Sequence, residues 1–127
     1  MTCALRPSIK NYRRPARVLT VPAAFIKLTG QAHWHVLIRA RAIETGSYVI
    51  APCQYGTLAG GGGCYGHSLI VDPWGRVLAD GGEDEGVVLV EIHLDQDDAA
   101  RARIPALNHD REFAPVVEDR RPSVAAC

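Results

Sequence analysis

Three segments of this chain are apolar on consecutive positions rather than alternate ones: Tyr48-Val-Ile, Leu69-Ile-Val and Val87-Val-Leu-Val. A strand of that kind needs cover on both faces, whereas a half-exposed strand alternates apolar and polar residues. The chain contains one substantial helix pattern to supply that cover. The mismatch predicts that one sheet face is covered by something the visible elements do not provide.

Turn chemistry divides the chain between those runs. Val18-Leu-Thr-Val-Pro22 is a short apolar run stopped by proline, as a buried strand would be. Ala23 to Gln31 is predicted as a loop, with Thr29 a candidate helix N-cap. His33 to Thr45 is the predicted helix, with Val36, Leu37, Ala40 and Ile43 on one face, and Gly46 fits the left-handed position that closes helices. Ser47 to Pro52 is a second strand, and Gly60 to Gly63 makes a flexible loop. Tyr65 to Asp72 and Arg76 to Ala79 form a predicted hairpin about Pro73-Trp74-Gly75. Val87 to Leu94 is the last predicted strand. A short helix capped by Asp95 follows through Arg103, its acidic start and basic end matching the helix dipole. The tail from Glu112 to Cys127 is polar and expected to be extended or disordered.

Composition narrows the function classes. At 127 residues and 47% hydrophobic content the chain fits one globular domain. Fourteen basic residues balance fourteen acidic ones, so the net charge implies neither nucleic acid nor an anionic membrane as partner. No apolar run approaches the roughly 20 residues of a membrane span. The basic stretch Met1 to Arg17 lacks the apolar core of a secretory signal, and the chain reads as cytosolic. Cysteines at 3, 53, 64 and 127 show no C-x-x-C pair. A zinc site built from them with His33, His35, His67, His93 or His109 is unmotivated by spacing, so neither metal nor cofactor is expected.

Three segments in series carry a resemblance: Leu19-Thr-Val-Pro-Ala-Ala-Phe25, then Thr29-Gly-Gln-Ala-His-Trp34 with Arg39-Ala-Arg-Ala-Ile-Glu44, then Tyr65-Gly-His-Ser-Leu-Ile-Val-Asp-Pro-Trp-Gly75. In order and spacing they resemble the C-terminal half of the nitrilase superfamily, the carbon–nitrogen hydrolases, and within it the Nit-type, omega-amidase-like amidases. The match runs from Val18 to Arg111, closing with Ile104-Pro105 and His109-Asp-Arg111. The resemblance implies an α/β (α+β) fold, half of a four-layer α-β-β-α sandwich. It divides the chain into a degenerate N-terminal remnant (1–17), the C-terminal part of the hydrolase domain (18–111) and a polar tail (112–127).

The same resemblance implies a cysteine-nucleophile amidase acting on the amide of small omega-amido acids. Such enzymes pair the cysteine with a glutamate base and a lysine at the oxyanion, because an amide needs a strong, base-activated nucleophile and a cation where charge develops. In the family both residues precede the cysteine, and here Met1 stands two residues before Cys3. Cys3, in Cys3-Ala-Leu-Arg-Pro7, is either the eroded nucleophile or a coincidental thiol, and Pro15 would interrupt the helix expected after it. The chain alone is therefore expected to be inactive. Phe25, Thr29 and His33 are the candidate substrate-binding residues, with Trp34 assigned to packing.

Other residues have plainer readings. Glu44 is expected to pair with Arg41 on the helix, and Lys10 and Lys27 to be solvated. His67 and Ser68, adjacent on a strand, would face opposite ways and could not share a site; His67 is expected as a hydrogen-bonded core histidine. The alternative to an amidase is a non-catalytic assembly module pairing through its exposed sheet face, as a homo-oligomer or with a full-length paralogue. A decayed gene fragment is the third reading.

Overall fold

Strand β1 (Val18–Thr20) runs parallel to β2 (Tyr48–Ala51) in the computed structural model, which describes residues 16–105 and 108. Two parallel neighbours cannot be joined by a tight turn, so the chain between them must leave the sheet and return. It does so through a helical turn α1 (Lys27–Thr29), a π turn (Gly30–Trp34) and helix α2 (His35–Thr45). Strands β3 (Leu69–Val71) and β4 (Val77–Asp80) then add antiparallel, giving the order β1-β2-β3-β4 with a register shift at Ile70/Val71. Helix α3 (Asp95–Arg103) closes the described chain. Cys3, Lys10, most of the 1–17 remnant, the His109-Asp-Arg111 motif and the 112–127 tail lie outside the described residues.

One sheet face meets α2. Val49, Ala51, Leu69 and Val71 are buried there with Trp34, Ile38 and Ala42. The face that packs is thus Ile38, Ala42 and Thr45 of α2, continued by Trp34 of the π turn, not the expected Val36, Leu37, Ala40 and Ile43. Val36, Leu37 and Ile43 are exposed. The reason is that α2 carries apolar residues around much of its circumference, which leaves two stripes at helical spacing. The stripe with the large indole ring and small Ala42 wins the close contact.

Several boundaries differ from expectation. The helix begins at Lys27, and Thr29 does not cap it: its hydroxyl donates back to the Ile26 carbonyl at 3.2 Å. Val87–Leu94 forms no strand and takes part in no ladder, with Val87 and Leu89 87% and 88% exposed while Val88, Val90 and Ile92 are half-buried. Its apolar run satisfies the strand pattern, but among the described residues no strand pairs with it. Asp95 is the first helical residue and makes no side-chain cap.

Other features agree. Gly46 closes α2 at φ 55°, its N–H donating to Ala42 and Ile43. Asp72 organises the β3–β4 turn by accepting the Trp74 and Arg76 N–H groups on Oδ1, at 2.9 and 2.8 Å. Arg41 pairs with Glu44 at 2.8 Å.

The two ends of the described chain are tied by Arg101. Its guanidinium donates to the Ala16 carbonyl (2.7 Å), Ser47 Oγ (2.9 Å) and Asp97 Oδ2 (3.1 Å). The Asp97 side chain is fully buried, with Arg17 Nε 3.5 Å from the same oxygen. Removing one partner of a buried pair leaves an uncompensated charge. Arg101→Ala is expected to lower unfolding stability by about 3 kcal/mol, read by urea denaturation; a loss under about 0.5 kcal/mol, typical of a surface site, would show that the tie is dispensable.

Candidate functional site

Beyond Thr20 the chain keeps following β2 past the end of the ladder. Val21 N donates to Ile50 O, Ala23 N to Pro52 O and Gln54 N to Ala23 O, all between 2.9 and 3.0 Å. Phe25 O then accepts Tyr65 N at 2.8 Å, and Lys27 N donates to Gly63 O at 2.9 Å. The segment from Ala23 to Lys27 is thereby a shelf, held on one side by Pro52–Gln54 and on the other by Gly63–Tyr65. The glycine run forms the exposed tip of a small hairpin, with Gly61 and Gly62 at φ 86° and 93° and a bridge between Thr57 and Gly63.

Phe25 sits half-buried on this shelf, its ring centroid 5.1 Å from that of Trp34. Thr29 is half-buried with its hydroxyl turned back to Ile26, and His33 in the π turn is exposed. Trp34 is a packing residue, as expected: it is buried, and its indole N–H donates to the His67 carbonyl at 2.7 Å. The π turn brings backbone against ring at Gly30, where a Cβ would lie 2.3 Å from Tyr65 Cγ. That contact involves the root of the ring, which no rotamer change relieves.

The described thiols, Cys53 and Cys64, are both buried. Burial pushes the Cys53 thiol up, against a smaller lowering by its bond with the Phe25 backbone. A thiol shielded in this way is poorly nucleophilic. Cys3, the candidate nucleophile, is outside the described residues.

A second group of side chains gathers where α2 meets the hairpin. Asp80, at the end of β4, lies with Oδ2 3.0 Å from His35 Nε2 and 3.0 Å from His67 Nδ1. Asp80 Oδ1 accepts the Gly82 N–H at 2.9 Å. Burial acts to raise the Asp80 carboxyl, but the Gly82 bond and the two imidazoles outweigh it and hold the group below its ordinary range. His67 is not the core strand residue expected: it is part-exposed, at φ 53°, and the strand begins only at Leu69. Ser68 turns instead to Cys53, whose N–H it accepts at 3.0 Å, so the two adjacent residues do serve different places. No sequence spacing pointed to this cluster, because its members come from a helix, a loop and a strand end.

Lys27 is paired rather than merely solvated, with Nζ 2.6 Å from Glu83 Oε2. That bond and the ammonium charge hold Glu83 below its ordinary 4.5.

Residues 7–102 match the Carbon-nitrogen hydrolase family, and the chain belongs to it. Among its relatives it is 47% identical over 105 residues to the deaminated glutathione amidase of Synechocystis sp. (strain PCC 6803 / GT-S), covering 81% of this chain and 39% of that protein. It is 47% identical over 96 residues to the human deaminated glutathione amidase, covering 76% and 29%. The crystal structure of the C. elegans NitFhit protein superimposes with a TM-score of 0.70 at 44% identity, covering 76% of this chain and 23% of that one. The chain therefore spans well under half the length of these relatives. Its α/β fold is the nitrilase-superfamily fold in part.

Two outcomes follow for the site. Gly30→Ala is expected to destabilise the protein by about 1–3 kcal/mol through overpacking against Tyr65, seen as a lowered midpoint in thermal or urea unfolding; an unchanged midpoint would mean the shelf has room to move. An NMR titration of Glu83 should give a midpoint below 4.5, returning to the ordinary value in Lys27→Met. Because the folded value is depressed, the pair's contribution is present above the unfolded glutamate pKa and fades as pH falls through the lowered one.

Proposed function

We propose that this chain supplies the shelf half of an amidase site of the carbon–nitrogen hydrolase family, acting on the side amide of a small omega-amido acid. The observation that carries the reading is the 47% identity with deaminated glutathione amidases over the segment that builds the Ala23–Lys27 shelf. In this reading Phe25, Thr29 and His33 border the bound substrate. A cysteine thiolate attacks the amide carbonyl, ammonia leaves with a proton delivered by a glutamate, and water hydrolyses the thioester using the same base. A lysine ammonium stabilises the oxyanion in both tetrahedral states. The substrate is a small-molecule amide, and the setting is cytoplasmic, where buried free thiols such as Cys53 and Cys64 stay reduced.

On this reading the 127-residue chain by itself releases ammonia from omega-amido acids at no more than trace rates, and Cys3→Ala changes nothing. Cys3-dependent turnover by the purified chain would overturn the claim of inactivity. Joined to the N-terminal portion of the Synechocystis relative, the chain is expected to yield ammonia release. Phe25→Ala in that chimera should raise KM more than it lowers kcat, the pattern of lost ground-state binding. A well-folded chimera that binds no such amide would sink the substrate assignment.

A second reading, assembly through the sheet, is favoured by a specific feature. On the face opposite α2, Val18, Ile50 and Ile70 are only half-buried, and Val87 and Leu89 stand exposed beyond β4. Exposed apolar area of this kind commonly marks an interface. Light scattering after size exclusion is expected to give a homodimer or larger species, or a complex with a full-length paralogue when one is supplied. A strict monomer under both conditions would remove this reading.

A further inference from the structure

We propose that His35, His67 and Asp80 form an open binding site for a divalent transition-metal ion of the zinc class, independent of the amidase reading. The three ligand atoms lie within 4.8 Å of one another. Two of the three separations, from Asp80 Oδ2 to His35 Nε2 and to His67 Nδ1, are 3.0 Å. In a tetrahedral zinc site with bonds of about 2.0–2.1 Å, ligand atoms sit roughly 3.3 Å apart. To hold an ion those two edges lengthen by a few tenths of an ångström, and the His35–His67 edge, within 4.8 Å, closes to the same spacing.

The ligands are held before any ion arrives. Asp80 Oδ1 accepts the Gly82 N–H and also lies 2.9 Å from His67 Nδ1, while Oδ2 is the oxygen within 3.0 Å of both rings. His67 is clamped through its backbone, its N–H donating to the Gly82 carbonyl (2.6 Å) and its carbonyl accepting the Trp34 indole (2.7 Å). The same residue occupies the left-handed region at φ 53°, a conformation that a non-glycine residue keeps only where its surroundings impose it. Its ring stacks on Tyr65 at 4.3 Å, and the His35 ring meets the His67 ring edge-on at 5.4 Å and 66°. The Tyr65 hydroxyl is 3.5 Å from His35 Nδ1, the outer partner a metal-bound imidazole commonly has.

Donor chemistry selects the ion. Two imidazoles and one carboxylate suit zinc, cobalt or nickel better than magnesium or calcium, which favour all-oxygen shells. On binding, each neutral ring gives up the lone pair of the facing nitrogen and carries its proton on the other, so the carboxylate and the ion share the charge. The three side chains keep 33%, 22% and 34% of their exposure, which leaves the remaining coordination positions to water. Because the ligands come from α2, the loop before β3 and the end of β4, the ion would cross-link helix to hairpin.

The test uses the full chain, stripped with a chelator and titrated with Zn²⁺ by calorimetry and with Co²⁺ by visible absorption. One equivalent is expected to bind, with cobalt bands of low-symmetry coordination by nitrogen and oxygen and an unfolding midpoint that rises with Zn²⁺. His35→Ala and Asp80→Asn should each abolish the bands, Tyr65→Phe should weaken affinity by about 10-fold, and His93→Ala should leave metal affinity unchanged. Asp80→Asn keeps the side-chain shape, and circular dichroism of each variant separates loss of the site from loss of the fold. Failure of the wild-type chain to bind, or binding that survives both His35→Ala and Asp80→Asn, would overturn the proposal.

Discussion

The parallel pairing of β1 with β2 is the constraint from which the rest of this structure follows. A parallel neighbour requires an excursion out of the sheet, and here that excursion builds the shelf, the π turn and α2 in succession. Continued backbone pairing of Val21 and Ala23 alongside β2 sets where the shelf lies, and the shelf sets where helix can begin. The indole of Trp34 then reaches the His67 carbonyl, so the helix position also dictates how the hairpin approaches. The candidate site rests on this single topological decision.

The two sheet faces have different fates. The face under α2 is closed by large and small residues in alternation, with Val49, Leu69 and Val71 wholly buried. On the other face, Tyr48 is covered because its hydroxyl reaches the His93 carbonyl at 3.0 Å and Gln96 Oε1 at 3.1 Å, and burial pushes its phenol up. Ile50 and Ile70 beside it lack such cover. Among the described residues no helix is long and apolar enough to cross a membrane.

Much of this was legible in the sequence where a residue type has only one good use. Gly46 could be read because a left-handed closing residue is nearly always glycine. The β3–β4 hairpin could be read from Pro73-Trp74-Gly75, and the α3 dipole pattern from charges alone. The packing face of α2 could not, since two apolar stripes compete and only the partner surface decides between them. Val87–Leu94 has the composition of a strand, but a ladder is a property of two segments and no single segment reveals it. The Asp80 cluster was invisible for the same reason, its members standing 32 and 13 residues apart in chain order, at 35, 67 and 80. The resemblance, by contrast, was readable in full because it depends on the order of motifs and not on how they pack.

The tie made by Arg101 also bears on the order in which the molecule can assemble. The contact with Ala16 joins residues 85 apart, and the Arg17 contact with Asp98 joins residues 81 apart. Closing a loop of that size is an entropic cost met only after nearly all of the described chain has left the ribosome. The α2–sheet layer, whose contacts are more local, has no such wait. Docking of α3 is thus a late step of folding, and until it occurs the carboxylate of Asp97 remains in water. Until α3 docks, β1 at the edge of the four-stranded order is held by β2 alone, which is the interval in which a neighbouring chain or a chaperone has access to it.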